Sequence, residues 1–384
     1  MASWSAGLVH AAGWCLAAAE FAYVVLAVLA VVRFRQRPRQ TPLHRPAVSV
    51  LVPAHRDFPG FEACIRSVCE QDYPEFEIVF GLHSHADTAK PVIERVMRDY
   101  PHRRIALVVD ERMLGANPKN CNLANMFPSA RYDVVAMVDS DVRVGPDFLS
   151  TVVAELADDD ATGAVTCLYK AAAPANFASR LGALATNDWV IPSGLVDIAL
   201  RDTSICYGAV IVSQRKALDD IGGFEAMASA VAQDYVLGQE LRRRGYAIRL
   251  APYIVETVVV EPDLKRLFLH ERRWNRAVRA CRPVDHALSV VTHALPLVAL
   301  FLLTPPTAAG LAAVGGLLGL RLVLHYLVRA RIPIDGAAEP WLVPLREALS
   351  LAVWASAFTS NTMWWGDRKL IVTQGVSMVA VKEN

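Results

Sequence analysis

The apolar run Val134-Val135-Ala136-Met137-Val138 ends in Asp139-Ser140-Asp141, two carboxylates one residue apart. If a strand continues through them, residues i and i+2 leave one face about 6 to 7 Å apart. Like charges at that spacing repel by about 2 to 3 kcal/mol at an effective dielectric near 20. A positive partner is therefore expected beside them, and a hard divalent cation, Mg²⁺ or Mn²⁺, shared with a substrate phosphate fits that need. The pair alone is weak evidence, because 22 Asp in 384 residues give about one such match by chance. Asp158-Asp159-Asp160 is an internal control: it follows a helical pattern and precedes Thr162-Gly163, so a solvated turn accounts for it. Charge buried at the end of a core strand has no such explanation.

Three more groups have chemical potential, each beside a plainer reading. Lys119 can meet a phosphate as a point charge or be a surface lysine. Asp234, in "VAQDYVLGQELRRRGY", heads a helical pattern whose Val236 and Leu237 can pack inward; it reads as a base or as a helix-terminal acid. Asp87, in "GLHSHADTA", reads as a ligand contact or as a turn residue.

The elements that must position these groups alternate between about Pro46 and Glu261. Val48 to Val52, Glu77 to Leu82, Ile105 to Val109, Val134 to Val138 and Ala164 to Leu168 predict strands. "FEACIRSVCEQ", "AKPVIERVMRDY", "KNCNLANMF" and "DFLSTVVAELA" predict helices. Such alternation implies an α/β domain with a mainly parallel sheet, whose ligands bind beyond the carboxyl ends of the strands. Asp139 and Asp141 stand at such an end.

The termini have a different composition. Leu8 to Val32 is a 25-residue apolar run with one acid, Glu20, and one histidine, His10, long enough for a bilayer core of about 30 Å. "RFRQRPRQ" follows the run, which predicts an uncleaved anchor with residue 33 onward in the cytosol. Ala287 to Leu303 and Thr307 to Val328 read as two more spans joined at Pro305-Pro306. Arg321 and His325 inside the second face a partner or snorkel. Trp341 to Phe358 is a weaker candidate; as a full span it puts the tail outside, as a re-entrant segment it keeps the tail in the cytosol. Hydrophobic residues make up 54% of the chain and mean hydropathy is +0.29. A net charge of +1 offers no global field for nucleic acid. Thirty-two Arg against seven Lys suggest a GC-rich bacterial coding sequence, and seven cysteines without a C-x-x-C pair predict free thiols.

The order of these motifs resembles family 2-type, inverting glycosyltransferases of the GT-A fold, within them the ceramide glucosyltransferase group, and most closely the bacterial hopanoid-associated enzymes. The resemblance runs through the whole chain. It implies a Rossmann-like GT-A catalytic domain (44–262), an anchor (1–34), an amphipathic interface helix (263–284) and a carboxyl-terminal membrane region and tail (285–384). Asp87 matches the family aspartate near the donor's uracil and ribose. "GANPKNCNL" resembles the G-x-N-P-K-x-N-N-L segment, so Asn117 and Lys119 are implied donor contacts. Pro53 ends the first strand as in relatives, with His55 and Asp57 just beyond. Asp139 and Asp141 match the metal and nucleotide motif. Asp234 matches the general base that deprotonates the acceptor, and Gln233 stands where ceramide enzymes usually carry an acid. His270-Glu271-Arg272-Arg273-Trp274 resembles Q-x-x-R-W, with His270 departing from it; Arg273 and Trp274 are implied catalytic residues and His270 a donor contact. From Asp263 to Arg282, seven Lys or Arg stand against two acids, with Leu264, Leu267, Phe268, Trp274 and Val278 interleaved, as in a basic helix at a membrane surface.

The resemblance implies transfer of a single sugar, N-acetylglucosamine or glucose, from a UDP-sugar to a lipid hydroxyl, a hopanoid polyol or a ceramide, with inversion and a Mg²⁺ or Mn²⁺ cofactor. It places the chain in a bacterial inner membrane with the catalytic domain cytosolic. A processive polysaccharide synthase shares the aspartate order, but this chain has few spans after the catalytic domain for a secretion channel. A non-catalytic nucleotide-sugar-binding regulator would lack the base that Asp234 supplies.

Overall fold

Alternation along the first strand organises the sheet-bearing part of the chain. In β1 (Val48–Pro53), Val48, Val50 and Val52 enter one core with Phe61, Ile65, Ile93 and Phe148, while Leu51 enters a second with Leu123, Val135, Leu218 and Leu237. Both faces of the strand are buried because helices cover the sheet on both sides. The computed structural model describes residues 2–39, 44–156, 161–173, 176–201, 205–365, 368–373 and 376–380. The control motif Asp158-Asp159-Asp160 lies outside them.

Eight strands form the sheet. With β2 (Phe76–Leu82), β3 (Arg104–Val109), β4 (Val134–Val138), β5 (Val142–Arg143), β6 (Thr162–Ala172), β7 (Val210–Gln214) and β8 (Ala247–Val258), the order is β3-β2-β1-β4-β7-β6-β8-β5. The pairs from β3 to β4 are parallel, and the direction reverses at β7, which runs antiparallel to β4 and to β6. All five strands expected from the sequence are present; β7 and β8 carry no alternation that singled them out. Helices Phe61–Cys69, Lys90–Asp99, Pro118–Met126 and Phe148–Ala154 occupy the four expected positions. Burying side chains of this size contributes about 1.5 to 3 kcal/mol each.

The chain divides into two compact units. One comprises Met1–Arg35, Ala171–Leu200 and Glu261–Asn361; the other, with the sheet, comprises Gln36–Lys170, Arg201–Val260 and Thr362–Asn384. The carboxyl-terminal tail thus groups with the sheet. It forms three antiparallel strands, β9 (Thr362–Trp365), β10 (Arg368–Val372) and β11 (Met378–Ala380).

In the apolar unit, Gly7–Arg33 and Ala308–Arg331 are long and apolar enough to cross a membrane. The expected span Ala287 to Leu303 is instead broken: Pro283–Thr292 and Leu295–Leu302 meet at a bend of 60°. Pro296, at the start of the second piece, has no N–H to carry the helix through. Val343–Ser356 has 14 residues, about 21 Å at 1.5 Å per residue, short of a bilayer core. Arg321, open as partnered or snorkelling, is 3% exposed; its Nη2 lies 2.9 Å from Glu20 and its Nε 2.8 Å from Glu347. His325 Nδ1 lies 2.6 Å from Asp188. Arg346 makes a two-pronged pair with Glu271, both contacts 2.7 Å. All seven cysteines are free.

Candidate functional site

The two leading carboxylates do not share a strand face. β4 stops at Val138, and residues 139–142 form a turn closed by Val142 N–H donating to Asp139 O at 3.0 Å. The local reason is that Val142 must start β5 against β8 (Val142↔Thr257), so the chain bends where strand pairing would have continued. The positive partner expected beside the acids is a divalent cation; a side chain, Lys119, also stands there, its ammonium paired with Asp139. It comes from the Pro118–Met126 helix, where Pro118 pre-sets the first turn and Asn117 caps it by accepting from Asn120 N–H at 3.3 Å.

Asp141 is pushed up to about 6, by burial first and by the charge of Asp139 second, while Lys119 draws it down. This donor set is two hard carboxylates with no third metal-binding side chain among the described residues. It fits a cation that completes its shell with diphosphate oxygens and water.

Asp234 is the second residue of the Gln233–Arg243 helix. Leu237 and Leu241, fully buried in the core, fix the helix. The Asp234 carboxylate does not cap the helix; its Oδ1 accepts from Tyr235 N–H at 2.9 Å. Burial raises its pKa, opposed by that N–H and by Lys119. Lys119 Nζ also reaches Gly208 O at 3.4 Å, and a methyl group built on Gly208 would stand 2.8 Å from Asp234 Oδ2. Gly208 is therefore the narrow backbone passage between the Asp139–Lys119 pair and Asp234. Asp139 and Lys119 act electrostatically on both Asp141 and Asp234, so three acids and one lysine form a net negative group suited to a cation and a proton acceptor.

Gln233 is 7% exposed, and its Nε2 donates to Met137 Sδ at 3.8 Å. An acid at that position would bury a charge against a thioether, which is a physical reason for the amide.

The remaining expected residues are distributed unevenly. Pro53 ends β1 opposite Gly81. Asp87 accepts from Arg56 N–H and Ala89 N–H, both at 2.9 Å, and lies 2.9 Å from His55 Nδ1. It clasps the loop after β1, where Arg56 takes the left-handed φ of 63° that a bulky residue adopts only when held. Asn117 is 2% exposed and its amide donates to Ala230 O at 2.7 Å, so both ends of its side chain are taken by protein.

His270, Arg273 and Trp274 belong to the other unit, on the Leu264–Cys281 helix, which Asp263 caps by accepting from Arg266 N–H at 2.8 Å. His270 Nδ1 lies 2.5 Å from Glu261 Oε1, and its ring is 4.2 Å from that of Trp274. Burial holds Arg273 down at about 10, with Glu261 drawing it back up, so it stays cationic at neutral pH. Trp274 is exposed, as are Leu264 and Val278.

Three residues join these clusters without a motif to announce them. Gly208 separates Lys119 from Asp234. Glu261 holds His270. Tyr169 faces the acids: burial, then Asp234, Asp141 and Asp139, hold its phenol protonated. "CYGAV" around Gly208 carries a weak signal, a glycine just before a strand; the other two carry none.

The architecture has known counterparts. The mannosyltransferase PcManGT from Pyrobaculum calidifontis, solved in complex with GDP-Man and Mn²⁺, superposes with a TM-score of 0.62 at 21% identity, over 91% of this chain and 99% of that one; the fold is the GT-A fold. Among curated proteins, the chain is similar to a ceramide glucosyltransferase of Komagataella phaffii, 32% identical over 34% of this chain and 28% of that protein. It is also similar to ceramide glucosyltransferase 1 of Caenorhabditis elegans, 23% identical over 52% and 43%. The chain thus spans less than half the length of these curated relatives. Residues 12–378 match the model of glycosyl transferase family 21, and the chain belongs to that family.

Proposed function

We propose that this protein transfers a single sugar, N-acetylglucosamine or glucose, from a UDP-sugar to the hydroxyl of a membrane lipid, with inversion at the anomeric carbon. The observation that carries the reading is Asp234, a buried carboxylate with a raised pKa, set across Gly208 from the Asp139–Lys119 pair. A raised pKa makes a better proton acceptor near neutral pH. Asp234 takes the acceptor's hydroxyl proton as that oxygen bonds to the anomeric carbon. The bond from that carbon to the diphosphate breaks, and UDP leaves with the electron pair.

Asp139 and Asp141 would hold Mg²⁺ or Mn²⁺, which when bound neutralises charge gathering on the leaving diphosphate. Lys119 adds a point charge to the same end. Pro53, Asp87 and Asn117 shape the donor side, Asp87 and Asn117 by fixing the loops around the nucleotide. Arg273 offers a phosphate-binding guanidinium, with His270 and Trp274 beside it, from a basic helix whose exposed Leu264, Trp274 and Val278 suit a lipid surface. Two helices able to cross a membrane support an integral membrane protein, with the catalytic domain on the cytosolic side of a bacterial inner membrane. The family resemblance favours a hopanoid polyol as acceptor, and the ceramide glucosyltransferase relatives support a ceramide-like one.

The test is UDP release by purified protein in detergent with Mg²⁺ or Mn²⁺, across UDP-sugars crossed with hopanoid polyol and ceramide, with mass spectrometry of the lipid. One sugar on one lipid is the expected product. A ladder of products would favour a processive synthase instead, and no lipid product from folded, UDP-binding protein would overturn the reading for these acceptors.

A further inference from the structure

We propose that the carboxyl-terminal sheet β9–β11 is a positioning element of the active site, on the same side of the membrane as the catalytic sheet. Residues 376–378 pair antiparallel with residues 229–231: Val231 N–H donates to Val376 O at 2.7 Å, Met378 N–H donates to Ser229 O at 2.8 Å, and Ala230 stands opposite Ser377. The paired segment ends just before the helix that carries Asp234.

That same loop holds the donor-side helix. Asn117 N–H donates to Ala228 O at 2.9 Å, Ala116 N–H to Ser229 Oγ at 3.1 Å, and the Asn117 and Asn120 amides to Ala230 O and Met227 O at 2.7 and 2.5 Å. A methyl group on Gly115 would stand 2.4 Å from the backbone of Ala228, so the two segments touch along their backbones. One side of the 227–231 loop is thus bound to the helix of Lys119, and the other side to the tail. Met363, Leu370, Val372 and Met378 are buried and anchor the small sheet.

Loops without their own ladder need such partners, since an unpaired buried backbone group is costly. The tail supplies the hydrogen bonds that keep the loop in one conformation, and the loop sets both Asn117 and the start of the Asp234 helix. A shift of about 1 Å at a catalytic group can lower rate about 100-fold, so a distant strand can govern turnover.

The proposal rests on the glycosyltransferase reading for its activity readout, and hydrogen exchange tests it independently. Met378→Pro removes the N–H that reaches Ser229. In the full chain, it is expected to lower kcat/KM for the UDP-sugar about 10- to 100-fold, and to speed amide exchange at 115–123 and 227–235 while exchange in the Ala308–Arg331 helix stays unchanged. Met378→Leu should keep activity within about twofold, consistent with volume-conserving swaps. Wild-type activity and exchange in Met378→Pro would overturn the proposal. If the wild type transfers no sugar, the functional reading fails, and the exchange comparison still decides the role of the tail.

If Met378→Pro does not fold, the double variant Ala230→Cys/Ser377→Cys replaces it. Residues opposite each other in a non-hydrogen-bonded antiparallel pair lie about 4.5 Å apart between Cα atoms, within disulfide reach. Oxidation should link them and retain activity with slowed exchange at 227–235. Failure to form the disulfide would overturn the pairing.

Discussion

Two clusters of charge, one in each unit, use the same residue types to opposite ends. In the apolar unit, Arg346 and Glu271 close on each other through two 2.7 Å contacts, and Arg321 lies between Glu20 and Glu347, with side chains at 7% exposure or less. In the unit with the eight-stranded sheet, Asp139 and Lys119 keep 31% and 26% of their side chains exposed, with Asp141 and Asp234 close by. Arg346 and Glu271 satisfy each other through both prongs, as a buried pair must, because removing either partner strands the other charge. The Asp139–Lys119 pair stays open to a ligand, as the proposed function requires, whereas the Arg346–Glu271 staple does not.

The largest effect expected from breaking this contrast is at Asp234. Asp234→Asn keeps shape and burial but removes the proton acceptor, and should lower kcat by about 10²- to 10⁴-fold while UDP still binds, measured by steady-state kinetics and calorimetry. Retained turnover would remove the base role.

Next is the staple. Arg346→Met leaves Glu271 as a lone buried charge and should cost about 3 to 5 kcal/mol, seen as lost yield and a lower unfolding temperature in detergent. Arg346→Met with Glu271→Leu should recover most of that loss, because removing both charges is far cheaper than removing one. The corresponding pair of changes at Lys119 and Asp139 should recover no activity if, as proposed, that pair serves a ligand.

A smaller effect is expected at the cation. Asp141→Ala should weaken metal-dependent donor binding, and EDTA should do the same to the wild type; donor affinity indifferent to both would exclude a role for the cation. The mildest change is with pH. The Asp141 carboxyl, pushed up to about 6, is protonated below that pH and ionised above it. Donor binding with metal should therefore fall as pH drops through about 6 and level off above it, as titration calorimetry from pH 5 to 8 would record.

The legible parts of this protein were those that depend on local pattern. The β4 run, the helix over KNCNLANMF and the two long apolar helices are written in side-chain type and spacing, and they occur where that pattern predicts; the Asn117 cap and Pro118 start came only with the structure. The turn at 139–142 was not legible, because it is imposed by β5 pairing with a strand more than a hundred residues later. The broken helix at 293–294 was not read from the sequence, because an apolar run reads as one span until packing bends it.

By itself the sequence determined the α/β alternation, the membrane-length helices and the acids, lysine and arginine available for chemistry, since these follow from side-chain type and spacing along one chain. Only the tertiary structure decided which of them meet. Lys119, Gly208 and Asp234 converge because the sheet order brings their segments together, and the tail joins the unit with the large sheet because backbone hydrogen bonds, which carry no side-chain signature, pair residues 376–378 with 229–231.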